Sequence, residues 1–305
     1  MTGFDFAFSW EVPFMAFLQA HLGTVGEYLA VLFTMFGEQL VVVALLGYLY
    51  WCYDKKLAKK VGASALTAML WCLMLKSLIL RRRPYMDHQE IRLLRPVEPG
   101  DVYDPLVQGF SFPSAHTTLS SSAWWPLAKR AGKKAFRLCM FLLPLLVGVS
   151  RFLTGAHYPT DVLAGYALGL LGVGVSAMLE KYVRKEWIYN LVLLILVLPG
   201  LFFCRTSDYY TMLGVLVGYL TGDAFEKRFV NFENTRDVRW TVLRLVGGCA
   251  IYFILNALLK LPFDPEFLAS GTMPALLTRA GRYAVILFID IGLYPLTFAR
   301  FEKRK

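Results

Sequence analysis

The sequence is poor in charged residues. Of its 305 residues, 18% are charged and 57% are hydrophobic, and the mean hydropathy is +0.50. An ordinary soluble domain has about a quarter charged residues. A soluble α/β protein, which needs polar turns and alternating strands, is therefore excluded. The apolar residues instead form runs of the length that spans a bilayer, about 20 residues each. We predict an all-α fold, a polytopic transmembrane helical bundle.

Paired cysteines are also lacking. Each of the five cysteines falls inside a predicted span, and no two have the spacing of metal ligands. They are therefore interpreted as small apolar core residues and not as a disulfide framework. The first residues contain no basic segment followed by a cleavage site, so we expect no cleaved signal peptide. The cysteines are Cys52, Cys72, Cys139, Cys204 and Cys249.

The excess of positive charge does not indicate a nucleic-acid partner. Lys and Arg number 32 against 22 Asp and Glu, which gives a net charge of +10. Most of these basic residues fall in short loops at alternate ends of the predicted spans. That distribution follows the positive-inside rule for membrane proteins. We therefore expect the lipid bilayer as a partner and no nucleic acid.

Nine spans are predicted after an N-terminal interfacial helical segment at 1–37, which mixes aromatic with polar residues. Five spans form a catalytic core at 38–186, and four form a C-terminal extension at 187–305. The charge bias places the C-terminus in the cytoplasm. The predicted spans are 38–54, 61–80, 114–130, 136–153, 159–181, 187–204, 209–224, 240–260 and 280–298.

Three polar clusters lie at the ends of predicted spans. Polar groups at such positions are costly in a membrane protein and indicate a functional site. The charge pattern places all three clusters on the non-cytoplasmic face, where the bundle can bring them together. The clusters are Lys76 with Arg83-Pro84, Pro113-Ser114-Ala115-His116, and Ser150-Arg151 with His157 and Asp161.

The residue types in these clusters point to phosphoryl chemistry. Lys76, Arg83 and Arg151 supply positive charge suited to a tetrahedral oxyanion such as phosphate. Two histidines in an anion pocket indicate acid–base or nucleophilic catalysis. No Asp, Glu or His cluster has the spacing of a two-metal site. We therefore expect no metal and no cofactor, and a transfer through a phosphohistidine.

The three clusters resemble the signature of the type 2 phosphatidic acid phosphatase superfamily. That superfamily includes glucose-6-phosphatase, sphingosine-1-phosphate phosphatases, bacterial undecaprenyl diphosphate phosphatases and vanadium haloperoxidases. The resemblance covers about 76–161, and its one departure is Ala115, where the family more often has glycine.

The resemblance implies a role for each residue of the clusters. His157 is implied as the nucleophile and Asp161 as the residue that orients it. His116 is implied as the acid that protonates the leaving oxygen and as the base that activates water. The implied ligands of the phosphate are Lys76, Arg83, Ser114 and Arg151.

A membrane lipid phosphate is the substrate expected from the resemblance, and several alternatives stay open. The nine-span layout is similar to glucose-6-phosphatase, which acts on a sugar phosphate. The segment 205–208 loosely resembles sphingosine-1-phosphate phosphatases. A lipid phosphotransferase could use the same phosphohistidine, and a transporter could keep a vestigial pocket. The sequence indicates no oligomeric state.

Four further polar residues are considered as members of the same site. His21 and His88 are interpreted as structural. Tyr85 and Asp87 follow Arg83 closely enough to contact a substrate.

Overall fold

The computed structural model describes residues 6, 8–95 and 99–298. Within these ranges every regular element is helical and no strand occurs, which confirms the all-α fold. Three α-helices continue into a π-helical turn, at Leu49–Tyr53, Glu226–Val230 and Ile289–Leu293. The α-helices are α1 Glu11–His21, α2 Gly23–Met35, α3 Gln39–Tyr48, α4 Lys55–Leu78, α5 Pro84–Asp87, α6 Pro105–Gln108, α7 Ala115–Arg130, α8 Lys134–Leu153, α9 Pro159–Tyr182, α10 Glu186–Val197, α11 Gly200–Phe203, α12 Ser207–Phe225, α13 Val238–Leu258, α14 Pro265–Ala269 and α15 Met273–Phe288.

A helix lies at each of the nine predicted spans, and at least five of these segments are long and apolar enough to cross a membrane. A sixth span is possible if α1 and α2 together form one bent span. The count of nine stays a prediction, because the remaining helices are shorter or more polar. The five segments are Lys55–Leu78, Lys134–Leu153, Pro159–Tyr182, Glu186–Phe203 and Val238–Leu258.

The helices are grouped in two compact units. The first unit contains residues 1–42 and 71–178, and the second contains 43–70 and 179–305. In the first unit α8 packs against α7, α2 and α1. In the second unit α15 packs against α12 and α13. Every predicted cluster residue belongs to the first unit.

The N-terminal segment contains two helices, and its interfacial position stays a prediction. It forms α1 and α2, which meet at an angle of 117°. Gly23 follows the break with a φ of +63°, a conformation that glycine adopts without steric cost. Helix α1 buries a polar face, with Glu11 and Gln19 inside, and exposes Phe14 and Phe17. Polar side chains inside and aromatic side chains outside suit a helix that faces lipid.

Helix α7 is a polar helix that is nevertheless buried. Its hydroxyl side chains donate to oxygens three or four residues earlier, so they need no water. This hydrogen bonding explains how a segment with so many hydroxyls can lie inside the bundle. The buried hydroxyl residues are Thr117, Thr118, Ser120, Ser121 and Ser122.

In the second unit, three glycines of α12 allow close helix contact. A Cβ atom at Gly214 or Gly218 would overlap backbone carbonyl oxygens of α15, and Gly222 contacts the π-helical turn after it. Small residues spaced by four let membrane helices approach closely.

The prediction that the cysteines are core residues is only partly correct. Three of them are buried, but Cys139 and Cys249 are exposed.

Candidate active site

His157 lies in the short loop between α8 and α9 and is 2% exposed. Its Nε2 is 3.3 Å from Nη1 of Arg83. A guanidinium group can only donate hydrogen bonds, so Nε2 accepts and the ring proton is on Nδ1. Nδ1 faces the hydroxyl of Ser111, at 3.4 Å. The in-plane lone pair of the imidazole is therefore on Nε2, where it accepts from the cation of Arg83.

The surroundings keep this imidazole neutral. Burial lowers the pKa of His157 well below its ordinary value of 6.5, and the positive charges of Arg83, Lys76 and Arg151 lower it further. Both effects disfavour a second proton on the ring. A neutral ring at physiological pH is the form that can act as a nucleophile.

Asp161 lies in the first turn of α9 and is fully buried. One carboxylate oxygen, Oδ2, accepts from the hydroxyl of Ser111 at 2.5 Å and from the backbone N–H of Tyr158 at 2.8 Å. The direct distance from Oδ2 to Nδ1 of His157 is 3.6 Å, which is longer than a hydrogen bond. Ser111 therefore stands between the aspartate and the histidine.

The cations of the first cluster are held by backbone carbonyls. Arg83 donates to the carbonyl oxygens of Gln108 at 2.7 Å, Gly109 at 2.9 Å and Ala156 at 2.9 Å. Lys76 donates to the carbonyl of Phe110 at 2.6 Å. Carbonyl oxygens are neutral, so these bonds orient the two cations without cancelling their charge.

One nitrogen of the Arg151 side chain has no hydrogen-bond partner in the described part of the chain. The side chain is 4% exposed, and its Nη1 lies 3.3 Å from the hydroxyl of Thr34 in α2. The nitrogen without a partner in the described ranges is the buried Nε. A buried donor left unpaired is costly, so an anion that accepts from it would be favoured.

The second cluster joins the third through the backbone. Ser114 is buried just before α7, and its N–H donates to the carbonyl of Asp161 at 3.0 Å. His116 lies in the first turn of α7, within electrostatic reach of the charge of Arg151. A Cβ atom at Gly37 would lie 3.0 Å from the Cβ of His116, so α2 and α3 are joined by a turn that contacts this histidine.

Two glycines of α9 bring the clusters close together. A Cβ atom at Gly165 would lie 2.8 Å from the carbonyl oxygen of Ser114, and one at Gly169 would overlap the hydroxyl of Ser121. Helix α9 can therefore approach the start of α7 with backbone nearly touching backbone. This approach places Asp161 beside the cluster that holds His116.

The structure thus brings the three predicted clusters, with all seven residues, together within the first unit. Residues outside the three clusters also contact them, and sequence reasoning missed these. They are Ser111, Arg81 and Glu11, none of which belongs to a predicted cluster. Glu11 alone carried a signal, since it is an acidic residue at the start of an apolar stretch.

The other polar residues singled out lie elsewhere or make different contacts. His21 is exposed, Asp87 pairs with Arg82 at 2.8 Å, and His88 meets the ring of Tyr158 edge to face. Tyr85 is buried, and its hydroxyl lacks a partner in the described ranges. Nor do those ranges contain a group of three His, Cys, Asp or Glu residues suited to holding a metal ion.

Comparisons with known proteins identify the family. The PAP2 superfamily model matches residues 57–185, and that of the PAP2 superfamily phosphatase transmembrane extension matches 210–305. The decaprenylphosphoryl-5-phosphoribose phosphatase of Mycobacterium tuberculosis is 34% identical over 137 residues, 44% of this chain and 69% of that protein. The chain belongs to the PAP2 superfamily.

Other relatives support the same membership. The decaprenylphosphoryl-5-phosphoribose phosphatase of Mycolicibacterium smegmatis is 36% identical over 105 residues, 34% of this chain and 50% of that protein. The phosphatidylglycerophosphatase B of Bacillus subtilis is 36% identical over 83 residues, 23% of this chain and 39% of that protein. No solved structure matches. This PAP2 protein is an integral, multi-pass membrane phosphatase, a phosphoric ester hydrolase.

Proposed function

We propose that this PAP2 phosphatase hydrolyses a membrane lipid phosphate through a phosphohistidine formed on His157, without a metal ion. The observation that carries the proposal is the state of His157. It is a buried, neutral imidazole with its lone pair on Nε2 and its proton directed at Ser111 and Asp161. Arg83 contacts Nε2, and the positive charges of Lys76 and Arg151 also act on the ring.

The phosphate of the substrate would replace the present partners of the cations. Phosphate oxygens carry formal charge and are stronger acceptors than a ring nitrogen or a carbonyl. They would take over the donor of Arg83 and the unpaired Nε of Arg151. The lone pair on Nε2 is then free and directed at phosphorus. Ser114 would contribute a neutral donor to the same phosphate.

The reaction then has two balanced steps. His157 Nε2 attacks phosphorus, the bond from phosphorus to the lipid oxygen breaks with its electron pair on that oxygen, and His116 donates the proton the oxygen needs. Water next attacks the phosphohistidine while His116 accepts its proton. The phosphorus–nitrogen bond breaks with its electrons on Nε2, and inorganic phosphate leaves. The cations stabilise the charge on the transferring group in both steps.

The lipid substrate is proposed from three observations. The names of the relatives, decaprenylphosphoryl-5-phosphoribose phosphatase and phosphatidylglycerophosphatase B, both refer to lipid-linked phosphates. The chain has apolar helices that can span a bilayer. The cluster residues lie at helix ends, where a headgroup can enter while its tail stays in hydrocarbon. The charge bias of the loops supports an active site on the non-cytoplasmic face and a cytoplasmic C-terminus.

Phosphate release by the purified protein in detergent, with a metal chelator present, tests the proposal. The panel contains phosphatidic acid, phosphatidylglycerol phosphate, sphingosine 1-phosphate, undecaprenyl diphosphate and glucose 6-phosphate. His157→Ala is compared with wild type, and His21→Ala serves as the control histidine.

We expect chelator-resistant turnover of a lipid that is lost in His157→Ala and kept in His21→Ala. Brief incubation with labelled substrate should give an acid-labile, alkali-stable phosphoprotein. Equal turnover in His157→Ala would refute the mechanism. A preference for glucose 6-phosphate would indicate a sugar phosphatase, and transfer of label to an added lipid would indicate a phosphotransferase.

A further inference from the structure

Arg81 is buried between two carboxylates. It is 1% exposed, and it donates from Nη1 to Asp161 Oδ1 at 2.7 Å and from Nη2 to Glu11 Oε2 at 2.6 Å. Both carboxylates are fully buried. The guanidinium also lies over the ring of Tyr158, with its central carbon 3.6 Å from the ring centroid. These contacts fix the arginine, which in turn holds one oxygen of Asp161.

Glu11 secures the same region from the N-terminal helix α1. Its second oxygen, Oε1, accepts from the N–H of Thr160 at 3.1 Å and from the hydroxyl of Thr160 at 2.6 Å. Thr160 immediately precedes Asp161 in the first turn of α9. A carboxylate at the start of a helix is favoured by its free N–H groups. Glu11 therefore holds the backbone that carries Asp161 as well as the arginine that pairs with it.

Five residues form one continuous chain of contacts. Glu11 pairs with Arg81, Arg81 pairs with Asp161, and Asp161 reaches His157 through Ser111. A rotation of the Asp161 carboxylate would move both of its oxygens at once. Because Arg81 fixes Oδ1, the other oxygen stays where Ser111 needs it.

We propose that Glu11 and Arg81 are positioning residues for phosphoryl transfer, which makes helix α1 part of the catalytic machinery. They act by holding Asp161, and through Ser111 they set the direction of His157. The inference rests on the proposed function of His157. The family match begins at residue 57 and so does not include Glu11. The described side-chain hydrogen bonds and ion pairs of both residues go to the start of α9 and its neighbours and not to the cations of the phosphate pocket, so their loss should spare phosphate binding.

The test compares Glu11→Gln, Arg81→Lys and the double variant with wild type. Glu27→Gln is the matched control, because it removes a carboxylate of the neighbouring helix α2 that pairs with the exposed Arg92. Each protein is assayed for kcat and KM on the best substrate of the lipid panel. Inhibition by inorganic phosphate measures the anion pocket separately from turnover, and a thermal midpoint measures folding.

We expect Glu11→Gln to lower kcat by about 10- to 100-fold, by analogy with outer-shell residues that orient the side chains binding a metal ion. KM and the inhibition constant of phosphate should stay near wild type, as should all values for Glu27→Gln. Arg81→Lys keeps the charge but not the two-pronged contact, so we expect a similar loss of kcat. The double variant should lose little more than either single variant, because both act through one chain of contacts.

Three outcomes would overturn the inference. One is a wild-type kcat in Glu11→Gln. Another is a parallel loss of phosphate inhibition and kcat, which would show that the pair only supports folding. The third is a double variant whose fold loss of kcat equals the product of the losses in the two single variants. His157→Ala separates this inference from the proposed function. If it is active, the phosphohistidine fails, and if it is inactive while Glu11→Gln is normal, only the positioning role fails.

Discussion

Ser111 offers the sharpest test of how Asp161 acts on His157. Its hydroxyl lies 2.5 Å from Asp161 Oδ2 and 3.4 Å from His157 Nδ1, whereas the direct distance between aspartate and histidine is 3.6 Å. Ser111→Ala removes this link. The structure therefore predicts a large loss of activity in a variant that leaves both the nucleophile and the carboxylate in place.

The expected size follows from the hydrogen bonds that disappear. A hydrogen bond to a charged group contributes about 1.5–3 kcal/mol, and a buried donor left without an acceptor costs about 1–3 kcal/mol. Part of each loss is shared by the ground state and the transition state. If roughly 2–3 kcal/mol of this free energy stabilises the transition state but not the ground state, kcat of Ser111→Ala falls by about 30- to 150-fold.

The assay is kcat for lipid phosphate hydrolysis in detergent with a chelator present. Ser111→Thr, which keeps the hydroxyl, should retain most of the activity. Ser120→Ala is the control, because Ser120 is a buried serine whose hydroxyl donates to a carbonyl of its own helix. If Ser111→Ala keeps kcat within about twofold of wild type, the reasoning is wrong. Asp161 would then orient His157 by direct contact.

Three further predictions follow from other parts of the first unit. The fall of kcat/KM on the acid side should have its midpoint below pH 6.5, the ordinary pKa of histidine, because burial and nearby cations lower the pKa of His157. A midpoint at or above pH 6.5, after correction for titration of the substrate, would contradict this. Gly169→Ala should lower the thermal midpoint and destabilise the protein by about 1–3 kcal/mol, because its Cβ would overlap a hydroxyl of α7. Gly174→Ala, with open space around it, should be neutral or stabilising, and equal effects of the two changes would contradict the packing argument. Thr34→Val should raise KM and the inhibition constant of phosphate several-fold, with a smaller effect on kcat, because it removes the hydroxyl beside Arg151. Unchanged values would show that Arg151 needs no support from α2.

The three clusters could be predicted because their chemistry is local. Residues at fixed spacing around a loop or helix start stay neighbours in any fold that keeps those elements. Ser150-Arg151, His157 and Asp161 are such a set, with the N–H of His157 donating to the carbonyl of Arg151 at 3.2 Å. Charge bias and span length then indicated that the three clusters lie at one face. Both arguments need only the bilayer and the sequence.

The N-terminal segment shows what sequence reasoning does not supply. In a globular protein a segment with Glu11 and Gln19 among aromatic residues is typical of a surface helix. In a membrane bundle the same polar residues turn inward, because the exterior is apolar. The sequence does not say which buried group will meet Glu11. Its partner, Arg81, lies 70 residues away in a run that resembles an exposed, solvated helix end.

The sequence by itself determined the class of fold and the membrane setting, and it supplied the three clusters from which the phosphate site is proposed. Hydropathy, loop charge and spacing within short segments are local properties, so they can be read along the chain. Only the tertiary structure decided which long-range contacts hold those residues. The placement of Ser111 between Asp161 and His157, and the burial of Arg81 against Glu11, depend on how α1, α7 and α9 pack. Those contacts join segments far apart in sequence, and no local pattern encodes them.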